Sequence, residues 1–237
     1  MTRTPIRLVI RTIAAGIVLA LMPAPFTGAV QAATWTARGN EPGWRVDVSE
    51  TAINFSGMDG ETFAIEPVPE PVRAEGIDVY TGTAGDKAFT LVAIDKICTD
   101  NMSGMPFPKT VVVTIGDRAL AGCGSDPLSL LVGDWKVEEI SGTPVIAGSE
   151  TSIGFDLDGS MYGNASCNRF FGGFSLTGEG LTLSPGGATM MACLDGLMEQ
   201  EQKFLTALEE VSRFESLPDG ALRLMDANGS AALTLRK

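Results

Sequence analysis

The sequence predicts a mainly β chain of the α+β class, built as two small antiparallel β-rich domains with one amphipathic helix lying against a sheet. Three observations point there. Twenty-eight glycines make up about 12% of the 237 residues, against a usual ~7%, and together with 13 prolines they imply many tight turns. Two-residue turn signals recur between short apolar runs, at Asp59-Gly60, Gly116-Asp117, Asp158-Gly159, Asp219-Gly220 and Asn228-Gly229. Such pairs accept positive φ and close antiparallel hairpins. Only one segment carries a helical period. With 44% hydrophobic and 19% charged residues the chain can bury a core, and its length allows one large domain or two small ones.

Residues 1–32 read as a secretory signal peptide. Arg3, Arg7 and Arg11 precede an apolar stretch from Ile13 to Met22, and Val30-Gln31-Ala32 offers a small-residue cleavage site, so the mature chain is expected to begin at Ala33. Ten apolar residues as a helix reach roughly 15 Å, half of a hydrocarbon core of about 30 Å, which argues against a membrane anchor. No cysteine near the site offers a lipid attachment point. A periplasmic or secreted location follows. Loss of the three arginines leaves 14 basic residues against 29 acidic ones. Without a basic cluster to offset that charge, nucleic acid and anionic lipid are not expected partners, and no stable membrane insertion follows cleavage.

Along the mature chain, residues 52–56, 77–83, 88–97, 110–115, 119–123, 152–156, 161–166, 221–225 and 231–235 read as strands around the turn signals. Ser125-Asp126-Pro127 separates the first half from a fresh apolar run at Leu128–Val132, which places a boundary between domains 33–125 and 126–237. From Leu194 the apolar residues fall at Leu197, Met198, Phe204, Leu205, Leu208 and Val211, with Glu, Gln and Lys on the opposite face. Asp195 suits the N-cap, and Leu197, Phe204, Leu205 and Leu208 form the face expected to lie on the sheet.

Cys98, Cys123, Cys167 and Cys193 allow three connectivities, and an exported chain meets an oxidising compartment. The boundary separates them two and two, so pairing within each half gives Cys98–Cys123 and Cys167–Cys193. Each bond would close about 26 residues, worth roughly 3.5 kcal/mol by loop entropy. A thiol nucleophile or metal site would need a CxxC spacing, a histidine or a basic neighbour. The chain has no histidine at all, which removes every Ser-His and Cys-His arrangement.

The blocks Ala165-Ser-Cys-Asn-Arg-Phe-Phe-Gly-Gly-Phe174, Thr189-Met-Met-Ala-Cys193 and Glu201 with Phe204-Leu205 and Leu208 resemble, in order and spacing, the META domain (HslJ-like) family. The resemblance spans Leu131 to Lys237. Asn168, Arg169, Phe170, Gly172, Thr189, Met190 and Cys193 carry its motif, and it implies a curved sheet wrapped against one helix. It also implies a link with stress response, antibiotic tolerance and secretion, without a defined reaction. Ser166 stands where the family commonly has glycine, so a less tightly turned backbone is expected there. The first half resembles an uncharacterised envelope domain often joined to META domains, through Gly39-Asn-Glu-Pro-Gly-Trp44, Cys98-Thr-Asp-Asn-Met-Ser103 with Phe107-Pro108, and Leu120-Ala-Gly-Cys123. Trp44, Asp100 and Met102 are its marker residues.

Other patterns resolve toward structure. Asp156-Leu-Asp-Gly159 places glycine fourth, not sixth, and lacks the closing Glu of a calcium loop, so it reads as a hairpin turn. Met102, Met105, Met190 and Met191 are soft donors suited to Cu(I) but also ordinary core fillers. Gly133-Asp-Trp135 resembles the opening of a lipocalin barrel, yet Trp135 reads first as a core residue. Phe170, Phe171 and Phe174 cannot all face inward on a regular strand; either one shows outside or the strand bends to pack all three on the helix. Asp95, Asp100 and Glu138-Glu139 have no further groups around them, so no catalytic, cofactor-binding or metal residue is assigned and no cofactor is expected. The reading is a non-enzymatic envelope-stress or protein-interaction module with an envelope protein partner. The alternative is a barrel-like binding protein for a small apolar ligand. An apolar pocket of about 300 Å³ or more favours the second; a flat sheet with an exposed Phe favours the first.

Overall fold

The computed structural model describes residues 35–237; the signal-peptide reading of residues 1–32 and the Ala33 start lie outside them. The first sheet collects the strands up to Gly124. These are β1 (Trp35–Asn40), β2 (Gly43–Val48), β3 (Ile53–Gly57), β4 (Thr62–Ile65), β5 (Val72–Ala74), β6 (Ile77–Ala84) and β7 (Lys87–Ile94). A two-residue ladder, β8 (Cys98–Thr99) with β9 (Pro106–Phe107), interrupts them before β10 (Lys109–Ile115) and β11 (Arg118–Gly124). The order is β4-β3-β2-β1-β11-β10-β7-β6-β5, antiparallel throughout. Alternation drives the fold: Trp44, Val46 and Val48 on β2, Phe89, Leu91 and Ala93 on β7, and Val111, Val113 and Ile115 on β10 are buried on one face. The sheet curls so that its edge strand β4 faces β7 across the concave side, where Phe63 of β4 stacks on Phe55 and meets Phe89 of β7 edge-on.

The run Leu128–Leu131, read only as apolar, is a single helical turn, α1, whose Leu128 N–H bonds Asp126 Oδ1 at 2.9 Å. The second sheet follows: β12 (Gly133–Ile140), β13 (Thr143–Pro144), β14 (Ser152–Phe155), β15 (Ser160–Asn164), β16 (Arg169–Thr177) and β17 (Gly180–Ala188). Helix α2 (Asp195–Glu210) then leads directly into β18 (Val211–Ser216), β19 (Leu222–Asp226) and β20 (Ala231–Arg236). The order is β17-β16-β15-β14-β12-β20-β19-β18, with β13 paired to β12. Its two edge strands come together without pairing, and Gly180 of β17, at φ +148°, abuts the Ser212 carbonyl of β18 with no room for a side chain. The expected curvature is present. Phe204, Ala207 and Leu208 of α2 enter the core formed by Trp135, Val137, Phe155, Leu181 and Leu233.

All five turn pairs close hairpins, and Gly60, Gly116, Gly159, Gly220 and Gly229 all take positive φ. Three local expectations need correction. The helix is capped by Leu194, not Asp195, because the extended Leu194 carbonyl already accepts the Leu197 and Met198 N–H groups. Val211 belongs to β18. On the helix, Gln200 and Ala207 are buried where Leu197 and Leu205 are only partly covered. The three phenylalanines follow plain alternation: Phe170 packs on Phe204, Phe174 on Phe155, and Phe171 points outward.

Residues from the first half also enter the second core. Met105, Phe107 and Cys123 are buried in the cluster built around Trp135 and Phe214. The sheets therefore share apolar packing, and the described residues, 35–237, belong to one compact unit.

Candidate functional site

The motif residues of the second half converge on Asn168. Its side chain is buried, and every polar atom is engaged. Asn168 Oδ1 accepts from Thr189 Oγ1 (2.8 Å) and Met191 N (2.7 Å), while Nδ2 donates to Glu201 Oε1 (3.1 Å) and Met191 O (3.3 Å). Its own N–H donates to Glu201 Oε2 at 2.7 Å. One amide thus ties the β15–β16 loop, the segment after β17 and helix α2 together. The Cys167–Cys193 bond, with Cα atoms 6.0 Å apart, closes the same junction.

Ser166 sits beside this hub at φ +105°. The glycine-type turn is retained with a serine in it, against the expectation of a relaxed backbone. The reason lies in its hydroxyl, which accepts from Gln200 Nε2 (2.7 Å) and shares a bond with Thr151 Oγ1 (3.0 Å). Gln200 also donates to Ser149 and Thr151 and accepts from the Ile146 N–H. Sequence pattern gave no signal for this network, because isolated Ser, Thr and Gln residues are ordinary surface residues until a helix buries one of them.

The remaining motif residues divide by side. Gly172 lies at a bulge where a Cβ would press on Met161 and Pro185. Arg169, Phe171, Met190, Met191, Leu194 and Met198 face solvent. Met190 is 98% exposed and Phe171 63% exposed, although both flank the tightly bonded hub. Phe171 lies over Gly186 and Gly187 of the neighbouring strand.

The three blocks of the first half also meet. Asp100 is buried at a turn, where Oδ1 accepts from Met102 N, Ser103 N and Ser103 Oγ, and Oδ2 from Asn40 Nδ2 at 2.9 Å. Burial alone would raise this carboxyl, but the bonds from Ser103, Asn40 and Met102 outweigh it and hold its pKa at about 2. Trp44 Nε1 donates to Ala121 O at 3.3 Å, and Cys98–Cys123, with Cα atoms 5.4 Å apart, binds the third block to the second. Met102 is exposed and Met105 is buried, so the two do not face one another. Trp135 is a core residue whose Nε1 donates to Leu131 O at 2.7 Å. Asp95 pairs with Lys109, and Glu138 with Arg236. Among the described residues no three Cys, Asp or Glu side chains gather within metal-binding reach.

Between the sheets lies a cleft of about 710 Å³. Trp35, Arg38 and Phe107 form one side; the β14–β15 turn at Leu157 and the β16 end at Phe174 and Leu176 form the other. No single motif in the sequence signalled it, because its walls come from six separate segments.

Among known proteins, no curated sequence matches the chain. Two solved structures resemble it. An NMR structure of a protein from Burkholderia xenovorans is 24% identical over 45% of this chain and 83% of that one, with a TM-score of 0.37. A second NMR structure is 26% identical over 47% of this chain and 93% of its own, with a TM-score of 0.36. The family described as the META domain matches residues 128–237, which contain the Asn168 hub, the Cys167–Cys193 bond and α2. Residues 128–237 of this chain are thus similar to the META domain.

Proposed function

We propose that the chain is an exported, non-enzymatic interaction module of the cell envelope, which engages an envelope protein through the apolar surface around Met190 and Leu194. The carrying observation is how the Asn168 hub spends its hydrogen bonds. Both polar atoms of that buried side-chain amide bond to Thr189 or Met191, and the segment they hold presents Met190 and Met191 to solvent, while β16 presents Phe171. A fully satisfied hub has no free donor or acceptor for chemistry, whereas an ordered apolar loop lowers the entropic cost of docking. Methionine and phenylalanine suit such a surface. Two disulfides support an oxidising compartment, and no described helix is long and apolar enough to cross a membrane. The resemblance to a family linked with stress response supports an envelope-stress role.

The test compares two variants as baits for envelope extract. One carries Phe171→Ser, Met190→Ser and Leu194→Ser; the other carries Met58→Ser and Val72→Ser, which are equally exposed elsewhere. Capture of the partner should be lost only with the first. Equal capture by both, or none by the parent, overturns the reading. A second reading, a binding protein for a small ligand, is supported by the cleft between the sheets.

A further inference from the structure

We propose that the cleft between the two sheets binds a small amphiphile, with an oxyanion head held by Arg38 and an apolar body lying against Phe107, Leu157 and Leu176. This rests on the ligand-binding reading and sharpens it, since a purely apolar ligand would leave the cationic end of the cleft unused. Arg38 and Arg45 stand directly opposite one another on β1 and β2. Like charges in that position repel and cost stability unless something neutralises them. Arg45 is neutralised within its own strand, where Asp47 takes a forked contact from Nε and Nη2. Among the described residues Arg38 has no carboxylate partner; its guanidinium lies 5.0 Å over the Phe107 ring. A ring face holds the cation in position and leaves the N–H fork free for a planar oxyanion.

The surroundings fit that polarity. Across β1, Arg38 pairs in register with Cys123, which is buried in the second core, so the arginine stands at the edge of an apolar floor. The opposite wall is fixed by the Phe174 N–H to Gly159 O bond of 2.8 Å, which ties the β14–β15 turn to the middle of β16. Two carboxylates also line the cleft, yet both serve turns: Asp126 accepts from Leu128 N–H and Asp158 from Ser160 N–H and Oγ. The volume of about 710 Å³ lies within the range of small-molecule sites.

The experiment titrates the mature chain with dodecanoate, dodecyl phosphate and dodecanol below their aggregation limits, following tryptophan fluorescence, because Trp35 lines the cleft. Both anions should bind at least about tenfold more tightly than the alcohol. Arg38→Gln should remove that preference while leaving the weak alcohol binding, and Arg38→Lys should retain part of it. Leu176→Asp on the far wall should weaken all three, and Lys136→Gln outside the cleft should change nothing. Which anion binds better separates a carboxylate head from a phosphate head. Equal binding of dodecanol and dodecanoate, or a preference that survives Arg38→Gln, overturns the anionic assignment and spares the ligand reading. Absence of binding by all three overturns both.

Discussion

Ser166 shows how one residue can hold a strained backbone by its side chain. A non-glycine residue at φ +105° costs about 1–3 kcal/mol, and the bonds to Gln200 and Thr151 offset it. Ser166→Ala keeps the strain and loses the bonds, so it should destabilise by about 1–3 kcal/mol. Ser166→Gly loses the same bonds but relieves the strain, and should melt close to the parent and above the alanine variant; equal melting of the two variants would refute the compensation. Asp100 gives a second prediction. Its folded pKa of about 2 lies below the ordinary value near 3.9, so its stabilisation is full above pH ~4 and is lost as pH falls toward 2. The stability gap between the parent and Asp100→Asn should shrink by about 2 kcal/mol over that interval in denaturant titrations. A gap that stays constant from pH 5 to pH 2 counts against the bonded carboxylate. The motif residues Asn168, Thr189 and Trp44 are legible as motif, but not their role, because their hydrogen bonds join segments 21 to 77 residues apart and leave no periodic trace.

At the scale of elements, hairpins were the most legible feature, since Asp-Gly and Asn-Gly pairs impose their own φ. Strands β6 and β7 are legible without such a pair, whereas β4 and β18 are not, although each has one beside it. β16 was hidden by its Phe-Phe-Gly-Gly-Phe run, and β18 because it continues α2 with no breaker between Glu210 and Val211. The period of the helix is legible in the sequence, but its buried face is shifted toward Gln200 and Ala207. Leu208 is fully buried, whereas Leu205 keeps part of its surface in water. Leu208→Ala should therefore cost about 2–5 kcal/mol, and Leu205→Ala about half as much or less. Equal losses in the two variants would mean that the helix sits rotated from the position described.

At the scale of the molecule, the hairpin formed by β8 and β9 couples the two sheets. Cys98–Cys123 fixes this segment to β11, and Phe107 then reaches past its own sheet into the core that holds Trp135 and Phe214. The sequence break at Ser125-Asp126-Pro127 separates the strands of the two sheets, but it gave no sign of this crossing, because a side chain buried across a boundary reads the same as one buried within it. A shared core makes the halves unfold together: the parent should give one thermal transition, coincident by far-UV circular dichroism and tryptophan fluorescence. Phe107→Ala should cost about 3–5 kcal/mol and lower hydrogen-exchange protection in β10 and β11 as well as in β18 to β20. If protection fell only in the strands of the first sheet while those of the second kept the parent's values, Phe107 would be packing locally and the coupling between the sheets would rest on the chain connection alone.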